Sequence, residues 1–229
     1  MRHDRPFDSP DAMAEALAQA IASELSRAIA ARGEASLVLS GGRTPRLMLS
    51  HLSRAVLPWN RVKITLADER LVPATHPDSN ERLIRDYLLQ NEAQKAVFIP
   101  LWQGEGDPVE CANDAISALR RPLDVVVLGM GEDGHFASLF PGAPGLPSAL
   151  DPTSERLALF VPGTAERQPR VSLTLAVLLD AAVIFLSFEG LAKRSVMERA
   201  LQPGPVEDLP IRAMLRQNAV PVDVYWSRS

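Results

Sequence analysis

With a single cysteine, Cys111, among 229 residues, the chain can close no internal disulfide and can build neither a thiolate zinc cage nor a CxxC redox pair. Long apolar runs are missing too. No stretch approaches a membrane span, and Met1-Arg2-His3-Asp4-Arg5 is not followed by an apolar segment of signal-peptide type. Nor does one sign of charge dominate: 24 basic and 28 acidic residues are interspersed to a net charge of −4, which leaves no extended cationic surface for a nucleic-acid backbone. No Gly/Ser-rich linker, internal repeat or low-complexity tract divides the sequence. These absences predict a cytoplasmic protein, embedded in no membrane and bound to no nucleic acid, folded as one domain over residues 1–229. They leave a small anionic ligand open, because a few convergent Lys and Arg side chains can make a local positive site on a negative protein.

What is present reads as alternating strands and helices. Ser9-Pro10 marks a helix start, Met13, Leu17, Ile21, Leu25 and Ile29 recur on one face, and Gly33 closes the helix. Seven β-rich runs follow, at Ser36–Leu39, Val62–Leu66, Val97–Ile99, Asp124–Leu128, Ala158–Val161, Ala182–Phe188 and Val222–Trp226. Most are apolar throughout, as strands covered on both faces are. Helices are expected between them at Pro45–Val56, Asn80–Gln90, Val109–Leu119, Val171–Leu179 and Leu191–Leu201. This alternation predicts an α/β fold with a single doubly wound, mostly parallel sheet and helices on both faces, Rossmann-like in outline. Ligands of such sheets sit beyond the carboxyl ends of the strands, so the residues after each strand are where chemistry is expected. The Pro- and Gly-rich stretch from Pro141 to Pro152 reads as an ordered loop beside a site.

The first of the seven runs ends in Ser40-Gly41-Gly42-Arg43-Thr44-Pro45, where Thr44 is placed to cap a helix begun by Pro45. Paired glycines before a helix start expose backbone N–H groups and the positive end of a dipole, a combination that suits phosphate. A tight turn without a ligand explains the segment equally well. After the second run come Ala67-Asp68-Glu69-Arg70, three charges that either line a cleft or neutralise one another. After the fourth comes Gly129-Met130-Gly131-Glu132-Asp133-Gly134-His135, a formal GxGxxG. It fails as a dinucleotide fingerprint, because the helix that should follow meets Pro141-Gly142 within two turns and Asp151 is not at a strand end. What it offers is a histidine at a strand terminus, with glycines around it and Asp133 within reach of its ring. Arg170 and Lys193, each at an expected helix start, are unremarkable singly; with the glycine loop they can supply cations for a phosphate.

In their order and spacing, SGGRTP at 40–45, ADERLVP at 67–73 with DSN at 78–80, GMGEDGHFASLFPG at 129–142, PRVSLTL at 169–175 and GLAK at 190–193 resemble the 6-phosphogluconolactonases. The resemblance covers nearly the whole chain. It implies hydrolysis of a phosphorylated sugar lactone, 6-phosphogluconolactone, to 6-phosphogluconate in the oxidative pentose phosphate pathway, with no metal and no organic cofactor. It further implies that His135 activates water, that Asp133 orients it and that Asp68 lies near the reacting ring. Gly41, Gly42, Arg43, Thr44, Arg170 and Lys193 would hold the phosphate, while Arg70 or backbone N–H groups would meet the developing oxyanion.

Two residues depart from the family pattern: Arg43 stands where many relatives carry a small hydroxyl residue, and Phe136 where Thr is usual. Two rival readings share the fold. A glucosamine-6-phosphate isomerase/deaminase carries a glutamate five residues after the histidine, where this chain has Phe140. A sugar-phosphate-sensing domain of a transcription regulator needs a DNA-reading module, for which no spare segment is present.

Overall fold

The computed structural model describes residues 2–228. Its strands are β1 (Arg2–Phe7), β2 (Ala35–Leu39), β3 (Val62–Leu66), β4 (Asp68–Arg70), β5 (Val97–Phe98), β6 (Leu123–Gly129), β7 (Ala158–Val161), β8 (Arg170–Leu173), β9 (Ala181–Glu189) and β10 (Val222–Ser227). The helices are α1 (Pro10–Arg32), α2 (Pro45–Leu52), α3 (Asn80–Tyr87), α4 (Pro108–Ser117), α5 (Leu146–Ala149), α6 (Leu175–Leu179), α7 (Leu191–Leu201) and α8 (Ile211–Arg216). Seven strands form one parallel sheet in the order β1-β10-β9-β6-β2-β3-β5. All of β2 and nearly all of β6 are buried, which requires cover on both faces of the sheet, as expected for an α/β fold. From β2 the chain steps outward through β3 to β5, then returns to β6 and steps the other way through β9 to β10. The direction therefore reverses between β2 and β6, and the crevice at such a reversal is where ligands of open α/β sheets bind.

Local chemistry sets the helix that packs across this sheet. Ser9 Oγ accepts from the Ala12 N–H at 3.2 Å, Pro10 begins α1, and Gly33 ends it at φ 83° with its N–H on the Ile29 carbonyl at 2.8 Å. Met13, Leu17, Ile21, Leu25 and Ile29 are all buried, the face that the sequence periodicity predicts.

Several expected elements differ. β1 has no apolar run to signal it; it is an edge strand containing Pro6, and its charges are met from outside, with Arg5 on Asp223 and Asp4 accepting from Trp226 Nε1 at 2.9 Å. The helix expected over Val171–Leu179 is instead β8, then Thr174 in extended conformation, then the short α6. The alternation Arg170-Val171-Ser172-Leu173 is a strand pattern, and its cross-strand partners were out of sight in the sequence. Ala158–Val161 is a strand outside the parallel sheet: β4, β8 and β7 form a separate antiparallel sheet in the order β4-β8-β7. The Pro141–Pro152 loop contains α5, and α8 had no sequence reading.

β4 is the consequential surprise, because strand alternation sends Asp68 and Arg70 to one face and Glu69 to the other. Glu69 is buried under the start of α3. Its Oε1 accepts from the N–H groups of Arg70 (2.6 Å) and Asn80 (2.8 Å), and its Oε2 from the Glu81 N–H (2.7 Å) and Ser79 Oγ (3.2 Å). One carboxylate thus satisfies the donors that a helix start leaves open. Burial nevertheless pushes its pKa up to about 7, against the pull of those N–H groups.

A pKa higher in the folded than in the unfolded chain means that the folded state holds the proton more tightly. The contribution of Glu69 to stability is full below about pH 4.5 and is lost as the pH rises through about 7. Urea denaturation of wild type and Glu69→Gln at pH 5 and pH 8 should show the wild type losing on the order of 2–3 kcal/mol relative to the variant between the two. Parallel stability curves would contradict this role.

Candidate functional site

The glycine loop after β2 and the histidine loop after β6 meet in the crevice at the reversal point, where one cleft is lined by Gly41, Gly42, Arg43, Thr44, Asp68, Arg70, His135, Arg170 and Lys193 among others. Of the ten residues proposed from the sequence, Asp133 alone is off the cleft wall; it stands behind His135. Four cationic side chains and one carboxylate face the cleft, so a chain with a net charge of −4 holds a local cationic concavity.

The His135 ring is held from two sides. Its Nδ1 lies 2.5 Å from Asp133 Oδ1, which also accepts the His135 backbone N–H at 3.1 Å. Partial burial raises the Asp133 pKa, but the hydrogen bonds and charge of His135 outweigh it and hold the carboxyl below its usual range. On the other side the Phe140 ring is tilted against the imidazole, with centroids 4.3 Å apart. In the neutral ring, a proton on Nδ1 donated to Asp133 leaves the lone pair on Nε2. Gly131 allows the ring to sit there: a Cβ at this position would fall 2.2 Å from His135 Nδ1. Two residues beyond the histidine, Ala137 lines the cleft at φ 46°, a strained conformation for a residue with a side chain.

Asp68 is anchored rather than free. Ser138 Oγ donates to its Oδ2 at 2.5 Å, and an Arg170 Nη approaches the same oxygen at 3.5 Å and Ser138 Oγ at 3.3 Å. Ser172, directly opposite Asp68 in the β4–β8 pair, accepts the Ser138 N–H on its Oγ at 3.1 Å. Burial lowers the Arg170 pKa most, the nearby Arg70 and Arg167 charges lower it further, and Asp68 opposes both. Arg70 reaches the Asp78 carbonyl. On the far side of Asp68, Asn80 Nδ2 donates to its carbonyl at 2.8 Å, and the Asn80 amide occupies the space where a Gly41 Cβ would lie, 1.8 Å from Asn80 Oδ1. Glycine at 41 is therefore a packing requirement as well as an opening for a ligand.

Some expectations are corrected here. Thr44 is itself helical and its side chain caps nothing, although Pro45 does begin α2. Arg170 begins a strand, not a helix. The Asp68-Glu69-Arg70 charges divide, with two facing the cleft and Glu69 turned away beneath α3. Arg43 is exposed at the cleft mouth, and Phe136 is fully buried in the core, away from it. Four residues not expected as site residues from the sequence also stand here: Ser40, Asn80 and Ser187 on the cleft wall, and Ser138 on Asp68. Ser40 Oγ is buried on the cleft wall with no hydrogen-bond partner among the described residues, and its place at the head of the glycine motif was the available signal. Ser138 carried no signal without the fold. Among the described residues no group of three or more His, Cys, Asp or Glu is arranged to hold a metal ion, and no helix is long and apolar enough to cross a membrane.

The family model for glucosamine-6-phosphate isomerases/6-phosphogluconolactonase matches residues 8–226. A 6-phosphogluconolactonase of Rhizobium meliloti is 45% identical over 225 residues, covering 96% of this chain and 97% of that protein. One from Pseudomonas aeruginosa is 42% identical over 216 residues, covering 93% and 90%. The crystal structure of a 6-phosphogluconolactonase from Shewanella baltica superimposes with a TM-score of 0.93 at 43% identity, covering 99% of this chain and 98% of that one. The chain belongs to the glucosamine-6-phosphate isomerase/6-phosphogluconolactonase family.

The close approach of Gly131 to the imidazole gives a test of the site's construction. Gly131→Ala should leave the circular dichroism unchanged but push His135 off Asp133, removing the downfield imidazole N–H proton resonance that a short hydrogen bond to a carboxylate produces. An unaltered resonance would show that the ring is placed by other contacts.

Proposed function

We propose that this family member hydrolyses 6-phosphogluconolactone to 6-phosphogluconate in the oxidative pentose phosphate pathway, as one lactonase domain over residues 1–229. The observation that carries the reading is the His135–Asp133 pair opening into a cleft with four cationic side chains, in a chain whose close relatives bear the name 6-phosphogluconolactonase. The phosphate lies against the glycine loop at Gly41, Gly42, Arg43 and Thr44, with Lys193 and Arg170 supplying charge. This orients the lactone carbonyl toward His135.

Asp133 accepts from Nδ1, so Nε2 takes a proton from water as the water oxygen attacks C1. Charge that develops on the carbonyl oxygen is met by Arg70 or by backbone N–H groups of the glycine-rich loops. Collapse of the tetrahedral intermediate breaks the bond between C1 and the ring oxygen, and His135 returns its proton to that oxygen. The new carboxylic acid then ionises, so each turnover releases one proton to solvent. Asp68, held by Ser138 and Arg170, faces the sugar ring and accepts from its hydroxyl groups.

The deaminase alternative needs a proton-transferring side chain five residues after the histidine. Phe140 holds that position, buried against the imidazole, and can transfer none.

His135→Ala should lower turnover, after subtraction of spontaneous hydrolysis, by about 10²–10⁴-fold while product affinity stays close to that of wild type. Lys193→Ala should do the reverse, raising KM with little change in kcat, because a phosphate remote from C1 is bound equally in ground and transition states. A folded His135→Ala protein with full turnover would make another group the base.

A further inference from the structure

Beside the cleft, and sharing Arg70 and Arg170 with it as a common wall, lies a second recess lined by the loop between β7 and β8. That loop carries Arg167, whose guanidinium stacks on the Phe140 ring with its carbon 3.8 Å from the centroid; Arg170 lies over the same ring at 5.2 Å. The opposing strands set Arg70 directly across from Arg170. Like charges in directly opposite cross-strand positions repel, and a third guanidinium beside them adds to the cost. Of the three, Arg170 alone is ion-paired among the described residues, with Asp68 at 3.5 Å. The Nε of each is buried without a hydrogen-bond partner among the described residues. Asp78 and Glu166 border the same recess, yet neither carboxylate is within ion-pair distance of these guanidiniums.

Three guanidiniums brought together with a single ion-paired carboxylate, Asp68 on Arg170, call for a further anion. On the cleft side the phosphate already has the glycine loop, Lys193 and Arg170, whereas Arg167 lines only the second recess and has no ion-pair partner among the described residues. His135, which faces C1, and Arg167 both pack against the Phe140 ring, the imidazole centroid 4.3 Å and the guanidinium carbon 3.8 Å from the Phe140 centroid. Ring opening releases C1 to rotate and turns it into a carboxylate. Resting on the lactone reading above, the geometry points to the Arg70–Arg167–Arg170 recess as the subsite that receives the carboxylate of the ring-opened product, with Arg167 as its specificity-determining residue. The lactone has one anionic group and the product two, so the recess discriminates between them and sets product affinity.

Calorimetric titration with three probes tests this: 6-phosphogluconate, which has both anions; glucitol 6-phosphate, an open chain with the phosphate alone; and gluconate, with the carboxylate alone. Wild type should bind 6-phosphogluconate about tenfold more tightly than glucitol 6-phosphate. Arg167→Met keeps an apolar stem over Phe140 but removes the charge. It should abolish that preference, weaken gluconate, and leave glucitol 6-phosphate within about twofold, while Arg167→Lys restores part of the preference. Equal weakening of both phosphate ligands would assign Arg167 to the phosphate instead, and unchanged affinities, or a wild type without the preference, would also overturn the proposal. Lactone turnover by wild type is measured separately, so a failure of the catalytic reading is distinguishable from a failure of the recess.

Discussion

The site depends on a buried carboxylate that three distant segments must reach. Asp68 is 5% exposed in its side chain, and an isolated charge at that depth is costly enough that it must be paired or neutralised. Its partners are Ser138, from the histidine loop, and Arg170, from β8, while its own carbonyl takes the Asn80 amide from the start of α3. Satisfying this one group therefore docks the antiparallel sheet, the loop that bears His135 and the helix beside the glycine motif onto one another. Glu69 repeats the device on the opposite face of the same strand, where its two oxygens bind the first turn of α3. A three-residue strand of charged side chains is thus the pin about which the cleft is assembled.

Around that pin the parallel sheet contributes position, and the loops contribute chemistry. The reversal between β2 and β6 opens a crevice with a glycine-rich turn on each side. Both turns need glycine for close approach: Gly41 to the Asn80 amide and Gly131 to the His135 ring. The same residues that admit a ligand therefore first admit a side chain of the protein, which makes the site a product of packing before it is one of binding.

Much of this was legible in the sequence. The α1 face, the central strands and the loops that bear the glycine motif and His135 follow from apolar runs, caps and glycines, which are local signals. What was not legible depends on pairing between distant segments. β8 reads as the start of a helix because Arg170-Val171-Ser172-Leu173 shows its two-residue period only over four positions, and β4 has three charges where a strand was not expected. β1 is stabilised by Asp223, Arg194 and Trp226, all about two hundred residues away. Ser138 and Arg167 acquire meaning only when the fold brings one to Asp68 and the other to Phe140.

On the reading proposed above, the cleft opens a lactone ring and does not isomerise or deaminate an amino sugar. Wild-type protein should be mixed with freshly generated 6-phosphogluconolactone in weak buffer and proton release followed, with a parallel reaction on glucosamine 6-phosphate assayed for ammonia. Acid release on the lactone should run well above the spontaneous rate, in proportion to protein concentration, with no ammonia formed. Ammonia production, or acid release no faster than in the absence of protein, would contradict that reading.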